Sequence, residues 1–131
     1  MTKPRVLVID DEPALARVLE GVFRYAGFDT VLAGDGNRGL AAFEAARFDV
    51  VVSDIIMPER EGFDTIRQIR QRSQDVVIVA LSGCGRLDPG IFRALAHEVG
   101  ADAFLQKPFL NDELIALVND KLAARDAVTL V

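Results

Sequence analysis

The strongest constraint on the fold is a fivefold alternation between short apolar runs and longer segments with apolar residues at helical spacing. The first run covers residues 6–9, and Pro13 follows where a helix would begin, a position at which its missing N–H needs no partner. An apolar stripe at i, i+3, i+4, i+7 and i+8 then follows: Leu15, Val18, Leu19, Val22 and Phe23. Gly27 suits the C-terminal end of that helix.

The same cycle recurs four more times along the chain. The further predicted strands cover residues 30–33, 49–53, 76–81 and 103–105, and the further predicted helices cover residues 36–46, 63–70, 91–99 and 111–124. Several strand segments are continuously apolar rather than alternating, which predicts burial on both faces. Five strands alternating with five helices favour right-handed crossovers and an α/β fold with a parallel sheet covered on both sides.

Composition narrows the class of protein further. The 131 residues fit one domain, and the 50% hydrophobic fraction excludes a disordered chain. With 15 basic against 20 acidic residues the net charge is -5, so we expect no direct contact with nucleic acid. One cysteine excludes a disulfide framework and suits a cytoplasmic location. No segment has the pattern of a signal peptide or a membrane span, so no membrane contact is expected.

Polar residues able to do chemistry lie just after four of the five predicted strands. They are Asp10 and Asp11 after the first, Asp54 after the third, Ser82 after the fourth and Lys107 after the fifth. In an open α/β sheet, ligands bind beyond the carboxyl ends of the strands, so we expect these side chains to share one site. Helix capping would explain any one of these residues alone. It does not explain why such residues occur at the same end of four different strand–helix units.

The chemistry of this set points to phosphoryl transfer. Clustered carboxylates repel one another unless a cation compensates, and a set of hard oxygen ligands suits Mg²⁺. Lys107 and Ser82 can meet the oxygens of a phosphoryl group. Asp54 is then the candidate nucleophile, with in-line attack on phosphorus.

The motifs, taken in order, resemble the receiver domain of two-component response regulators over residues 5–124. They are Val-Leu-Val-Ile-Asp-Asp-Glu at 6–12, Val-Val-Val-Ser-Asp-Ile-Ile-Met-Pro at 50–58, Gly62, Ala-Leu-Ser-Gly at 80–83 and Gly-Ala-Asp-Ala-Phe-Leu-Gln-Lys-Pro-Phe at 100–109. The resemblance implies a flavodoxin-like, doubly wound (βα)5 fold with strand order 2-1-3-4-5. We expect a single receiver domain over residues 1–131, with its core at about 5–124.

The resemblance also assigns roles at the site. Asp54 corresponds to the phospho-acceptor, which also binds Mg²⁺, and Asp10 and Asp11 correspond to the acidic pair that binds the ion. The backbone carbonyl of Ile56 falls at the family's third Mg²⁺ ligand from the protein. Ser82 and Lys107 correspond to the residues that contact the phosphoryl group, and Lys107–Pro108 to a cis peptide.

A switch and two classes of partner follow from the same resemblance. On phosphorylation Ser82 moves toward the phosphoryl group and Phe104 turns inward behind it. The surface formed by the fourth helix, fifth strand and fifth helix then changes for a downstream protein. The phosphoryl donor is a histidine kinase or a histidine phosphotransfer protein. The domain assists its own phosphorylation and slow dephosphorylation but is not an enzyme, and the sequence leaves homodimerisation open.

Some residues depart from the family pattern or stand apart from it. Ile56 and Cys84 occupy the positions that tune self-dephosphorylation and orient water poorly, which predicts a long-lived phospho-Asp54. The glycine-rich segment 83–90 is longer than is common, and we expect a mobile loop involved in partner choice. Neither Cys84 nor His97 has a catalytic context. The remaining basic cluster predicts a solvated face of the third helix: Arg60, Arg67, Arg70 and Arg72.

Three other functions compete with the switch. An aspartyl-phosphate-forming hydrolase of the haloacid-dehalogenase type would need a second Asp where Ile56 stands. A binding module that keeps only the fold would not need the complete Asp, Ser and Lys set. The chain could also be the receiver fragment of a longer DNA-binding regulator. If the 131 residues are the natural chain, we expect its output to be protein–protein contact.

Overall fold

A computed structural model describes residues 3–55, 62–83 and 88–129, with side chains as far as residue 127. The strands are β1 (Arg5–Ile9), β2 (Asp29–Ala33), β3 (Val50–Asp54), β4 (Val77–Ser82) and β5 (Ala103–Gln106). The helices are α1 (Pro13–Tyr25), α2 (Gly36–Ala45), α3 (Gly62–Arg72), α4 (Pro89–Val99) and α5 (Asn111–Thr129). The predicted alternation of five strands and five helices is therefore confirmed.

The sheet has the order β2-β1-β3-β4-β5, and every neighbouring pair is parallel. The chain thus winds outward from β1 in one direction to β2 and in the other to β3, β4 and β5. This is the doubly wound, flavodoxin-like topology that the resemblance implies. The strand order reverses between β1 and β3, where such sheets place their ligands.

Helices cover both faces of the sheet, so each strand contributes to two cores. Helices α1 and α5 pack on one face through Leu19, Phe23, Leu114 and Val118. Helices α2, α3 and α4 pack on the other through Leu40, Ile66, Ile69 and Ala96. The central strands β1, β3 and β4 are buried almost throughout, which explains their continuous apolarity in the sequence.

Three helices extend beyond their predicted ends: α3 spans Gly62–Arg72 rather than residues 63–70, and α4 and α5 are also longer than predicted. Helix α5 runs to Thr129, five residues past the predicted end at 124, because neither Gly nor Pro interrupts its Ala-rich last turns. Arg125 in this extension also lies 3.4 Å from Asp49 at the foot of β3. Helix α4 begins at Pro89 rather than at residue 91, because the Asp88 carboxylate accepts a hydrogen bond from the Gly90 N–H at 2.8 Å and caps the first turn.

The prediction of a uniformly solvated basic face on α3 is wrong for one residue. The Arg70 side chain is only 16% exposed, and its guanidinium is 2.8 Å from the Asp102 carboxylate. Arg67 is exposed as predicted, and Arg72 pairs at the surface with Glu44. Arg60 lies outside the described residues.

Among the described segments, no helix has both the length and the apolar character needed to cross a bilayer. Of the segment 83–90, residues 84–87 lie outside the described part of the chain. The expected mobility of that loop therefore stays a prediction.

Candidate functional site

Two buried carboxylates lie side by side at the point where the strand order reverses. Asp54 is the last residue of β3 and is 5% exposed, while Asp10 directly follows β1 and is 2% exposed. The parallel register that pairs Ile9 with Ser53 sets the two acids at the same edge of the sheet. The Asp10 N–H donates to the Ala33 carbonyl at 3.1 Å, which fixes the turn at the end of β1.

Lys107 joins these two carboxylates from the far side of the site. Its ammonium nitrogen lies 2.8 Å from an Asp54 oxygen and 3.3 Å from an Asp10 oxygen. The Lys107 N–H donates to the Ser82 carbonyl at 2.9 Å, and the Lys107–Pro108 peptide is cis, as the resemblance implies. Residues that are 53 and 97 positions apart in the chain are thus brought into hydrogen-bond range.

The structure adds a residue that the sequence argument did not assign to the site. Oxygens of Glu12, Asp10 and Asp54 all lie within 4.8 Å of one another, and a Glu12 oxygen is 3.8 Å from the Lys107 nitrogen. The Glu12 backbone N–H donates to the Asp10 carboxylate at 2.9 Å, so the backbone turns around the Asp10 side chain directly after β1. Asp11 is exposed and is not part of this group among the described residues. The signal available in the sequence was an acid three positions past the end of a strand.

The buried charges at this site shift the proton affinities of their neighbours. Burial raises the pKa of Asp10 above its ordinary value, the nearby Asp54 charge adds to the rise, and the hydrogen bond from Glu12 and the charge of Lys107 oppose it. Burial alone would lower the pKa of Lys107. The hydrogen bond to Asp54 and the charges of both carboxylates outweigh it and leave that pKa above its ordinary value.

Asp10→Asn is expected to stabilise the metal-free protein at pH 7. Because the folded-state pKa of Asp10 is raised above its ordinary value of 3.8, ionising Asp10 costs stability at every pH above that folded pKa. The cost disappears as the pH falls below 3.8, so the gap between variant and wild type should close there. Urea unfolding in EDTA at a series of pH values measures this.

The control for that measurement is Asp11→Asn, which changes an exposed neighbour of the same type. It should leave the urea midpoint unchanged at neutral pH. Equal effects of Asp10→Asn and Asp11→Asn, or a gap that widens toward low pH, would contradict the assignment of electrostatic strain to Asp10.

The predicted switch residues lie on the two strands beyond Asp54. Ser82 ends β4, is fully buried and pairs in register with Gln106 of β5, while Phe104 pairs with Ala80. Phe104 is half-buried, and the Arg93 guanidinium carbon lies 5.6 Å from the centre of its ring. Phe104 also lines an open cavity of about 730 Å³ between α4, β5 and α5. The side chain expected to move therefore connects the interior with the expected partner surface.

Two predicted contributors cannot be placed. Ile56, whose carbonyl corresponds to a Mg²⁺ ligand, and Cys84, at a position that tunes dephosphorylation, lie outside the described residues. The expectation of a long-lived phospho-Asp54 rests on these two and stays a prediction.

Gly62 shows how closely the start of α3 packs behind the candidate nucleophile. A Cβ at this position would lie 2.6 Å from the Asp54 carbonyl oxygen and would overlap the Ile55 backbone. Only glycine leaves room for α3 to begin directly against the end of β3.

This geometry agrees with an independent comparison of the sequence with protein-family models. The model described as the response regulator receiver domain matches residues 6–119, which include both buried carboxylates, Ser82 and Lys107. The chain belongs to this family. Receiver domains are phospho-acceptor signalling domains of two-component response regulators, so the family assignment agrees with the function expected from the site.

Relatives and solved structures support the same assignment. The DNA-binding response regulator MtrA of Mycolicibacterium smegmatis is 37% identical over 120 residues, covering 92% of this chain and 51% of that protein. CpxR, a transcriptional regulatory protein of Klebsiella pneumoniae, is 34% identical over 114 residues, covering 87% of this chain and 47% of its own length. This receiver domain thus spans about half the length of the curated relatives it matches.

Among solved structures, the chemotaxis protein CheY4 of Vibrio cholerae superposes with a TM-score of 0.82 at 30% identity, covering 91% of this chain and 98% of that one. A response regulator receiver domain from Clostridium thermocellum gives a TM-score of 0.86 at 26% identity, with coverages of 95% and 98%. The receiver fold is therefore shared over nearly the whole length of these chains.

Proposed function

We propose that this receiver domain is a signalling switch that accepts a phosphoryl group on Asp54 from a phosphohistidine donor. The observation that carries the proposal is the Lys107 ammonium 2.8 Å from the buried Asp54 carboxylate, beside the buried carboxylate of Asp10, which follows the neighbouring strand β1. The Lys107 ammonium can pair with the negative charge of an incoming phosphoryl group while Asp54 stays in place as the phospho-acceptor.

The proposed transfer breaks one bond and forms another. An Asp54 carboxylate oxygen attacks phosphorus in line, the P–N bond of the phosphohistidine breaks, and its electron pair leaves with the imidazole. Lys107 stays protonated, because its raised pKa keeps the ammonium charged at neutral pH, and it donates to a phosphoryl oxygen. Ser82, at the end of the adjacent strand β4, is proposed to move toward another of these oxygens.

The donor set fits a hard divalent cation, and we propose that it is Mg²⁺. Asp10 and Asp54 offer buried carboxylate oxygens, Glu12 lies within reach of both, and no His takes part in this group of described residues. Asp11 and the carbonyl of Ile56 complete the proposed ligand set by resemblance to the family. When bound, such an ion neutralises charge on the phosphoryl oxygens in the transition state.

We propose a histidine kinase or histidine phosphotransfer protein as the donor. The proposed downstream partner is a protein that contacts the surface of α4, β5 and α5, which Phe104 links to the interior. The net charge of -5 supports protein rather than nucleic acid as the direct contact of this domain. The relatives named as DNA-binding regulators are about twice as long as the matched segment, so their printed function does not assign DNA contact to the receiver domain. The single-domain organisation over residues 1–131 and the cytoplasmic location stay predictions.

Incubation with acetyl phosphate and Mg²⁺, followed by intact mass and released phosphate over time, tests the function. We expect one phosphoryl adduct per chain that persists for minutes or longer, and no adduct when EDTA removes the metal. Rapid, steady release of many phosphates per chain would instead favour a hydrolase. An unchanged mass with every donor tried would favour a module that keeps only the fold.

A further inference from the structure

The two expected switch residues, Phe104 and Ser82, point to the same face of the sheet. Phe104 of β5 pairs in register with Ala80 of β4, and Ser82 lies two residues after Ala80 on that strand. Side chains paired in register, and side chains two apart on one strand, share a face of the sheet. Ala80 belongs to the core beneath α2, α3 and α4, and Phe104 packs against that core. The expected inward turn of the ring therefore keeps it on the α4 side of the sheet.

In its present position the Phe104 ring has a partner in Arg93 of α4. The guanidinium carbon lies 5.6 Å from the centre of the ring, within the range of an attractive contact between a cation and an aromatic face. Three acids line the same open cavity: Asp102, Glu113 and Asp120. Among the described residues, Arg93 nevertheless forms no ion pair or hydrogen bond. In this part of the chain its partner is therefore the aromatic ring rather than a carboxylate.

Helix α4 is anchored in a way that keeps Arg93 outside the core. Ala96, in the next turn of the helix, is 1% exposed against the sheet. The Gly100 carbonyl, directly after the helix, accepts a hydrogen bond from the Arg70 side chain of α3 at 2.9 Å. Arg93 itself is exposed, so burial of the Phe104 ring would take the ring away from the guanidinium. The contact therefore stabilises the outer position of the ring and not the inner one.

We propose that Arg93 holds Phe104 in the outer position and so limits how often the unphosphorylated domain reaches the switched state. This rests on the proposed function, because it takes Phe104 to be the switch residue. A contact that exists in only one of two states shifts their populations by its own free energy. For an exposed cation over an aromatic ring, the shift in the ratio of inner to outer ring is about two- to fivefold. Arg93 is thus a positioning residue that acts on phosphoryl transfer through Phe104.

A single-tryptophan reporter measures the position of the ring without any phosphoryl donor. The chain has no tryptophan, so Phe104→Trp places one at the switch position, and an indole attracts a cation more strongly than a phenyl ring does. Acrylamide quenching distinguishes an exposed ring from a buried one, and fluorine NMR after labelling with fluorotryptophan gives the two populations. In this background Arg93→Met should raise the ratio of inner to outer ring about two- to fivefold and lower the quenching. Met matches Arg in helix propensity, so the fold should persist.

Three further variants separate the charge of Arg93 from simple coverage of the ring. Arg93→Glu should raise the inner population more than Arg93→Met does, because the electron-rich face of the ring repels a carboxylate. Arg93→Lys should recover part of the contact, since an ammonium attracts the ring but does not stack on it. The matched control is Arg67→Met, at an exposed arginine of α3, and it should leave the position of the ring unchanged.

The link to phosphoryl transfer is measured separately, in the chain that keeps its own Phe104. Because the inner state is the one proposed to be favoured by phosphorylation, Arg93→Met should take up the phosphoryl group from acetyl phosphate and Mg²⁺ about two- to fivefold faster than the wild type. An unchanged rate, although the reporter shows that the ring has moved, would overturn this link. If no variant gained mass, the proposed function would fail, while the reporter would still decide whether Arg93 holds the ring.

The reporter also gives the results that overturn the contact itself. Equal ring populations with Arg93 and with Arg93→Met would show that the guanidinium does not hold the ring. An equal shift in Arg67→Met would show a general effect of a lost positive charge. Equal shifts in Arg93→Met and Arg93→Glu would contradict an electrostatic contact with the ring.

Discussion

Asp54→Asn is expected to abolish phosphoryl uptake by this domain, with a rate at least about a hundredfold below that of the wild type. The acceptor side chain is only 6% exposed and lies 2.8 Å from Lys107. An amide has the same shape but lacks the anionic oxygen that must attack phosphorus. Its carbonyl oxygen can still accept the hydrogen bond from Lys107, so the fold should persist. The rate of mass gain with acetyl phosphate and Mg²⁺ measures the effect.

The matched control is Asp75→Asn, which makes the same change at an exposed acid between α3 and β4. It should be phosphorylated at the rate of the wild type. If Asp54→Asn gained mass at that rate too, the phospho-acceptor would be a different residue. Retention of the wild-type circular dichroism spectrum by Asp54→Asn is needed to exclude unfolding as the cause of a loss.

Arg70→Ala is expected to lower the free energy of unfolding by about 2–4 kcal/mol. The Arg70 guanidinium donates to five acceptors that end α3 and connect it to β4 and β5: the carbonyls of Gly100, Ser73, Gln74 and Val76, and the Asp102 carboxylate. The same Asp102 oxygen accepts from the Ile78 N–H at 2.8 Å, so the cluster also holds the start of strand β4. Truncation would leave these acceptors partly buried without their donor.

The matched control for this effect is Arg67→Ala, which removes an exposed arginine from the same helix. It should change the free energy of unfolding by less than about 0.5 kcal/mol. Arg70→Lys should recover only part of the loss. An ammonium group lacks the planar, forked set of donors with which the guanidinium reaches the loop carbonyls and Asp102 at the same time. Urea unfolding measures all three variants, and equal midpoints for Arg70→Ala and Arg67→Ala would contradict the account.

The strands and the site could be predicted because their signals are local or depend on order along the chain. A run such as residues 50–52 is apolar on both faces because the strand is covered on both, and Asp54 stands where that run ends. Parallel pairing then brings Asp10 and Lys107 to the same edge without further information.

What the sequence could not predict depends on how the chain bends in three dimensions. Arg70 lies three residues after Arg67 on the same helix, and the sequence predicts equal exposure for both. In the structure, carbonyl groups of the loop after α3 accept hydrogen bonds from Arg70 but not from Arg67. Gly100, whose carbonyl accepts a hydrogen bond from Arg70, also has a requirement that depends on this contact. Its φ of +115° favours glycine, and a Cβ there would lie 2.8 Å from the Arg70 side chain. Glu12 was missed in the same way, since its approach to Lys107 depends on the turn that follows β1.

The central claim is that Asp54 itself carries the phosphoryl group. The most direct measurement is borohydride reduction of the phosphorylated protein, which converts an acyl phosphate of aspartate to homoserine, followed by peptide mass analysis. We expect homoserine at position 54 and nowhere else, in proportion to the adduct seen in the intact mass. Homoserine at Asp10 or Asp11, or a mass adduct that borohydride leaves unchanged, would contradict the account.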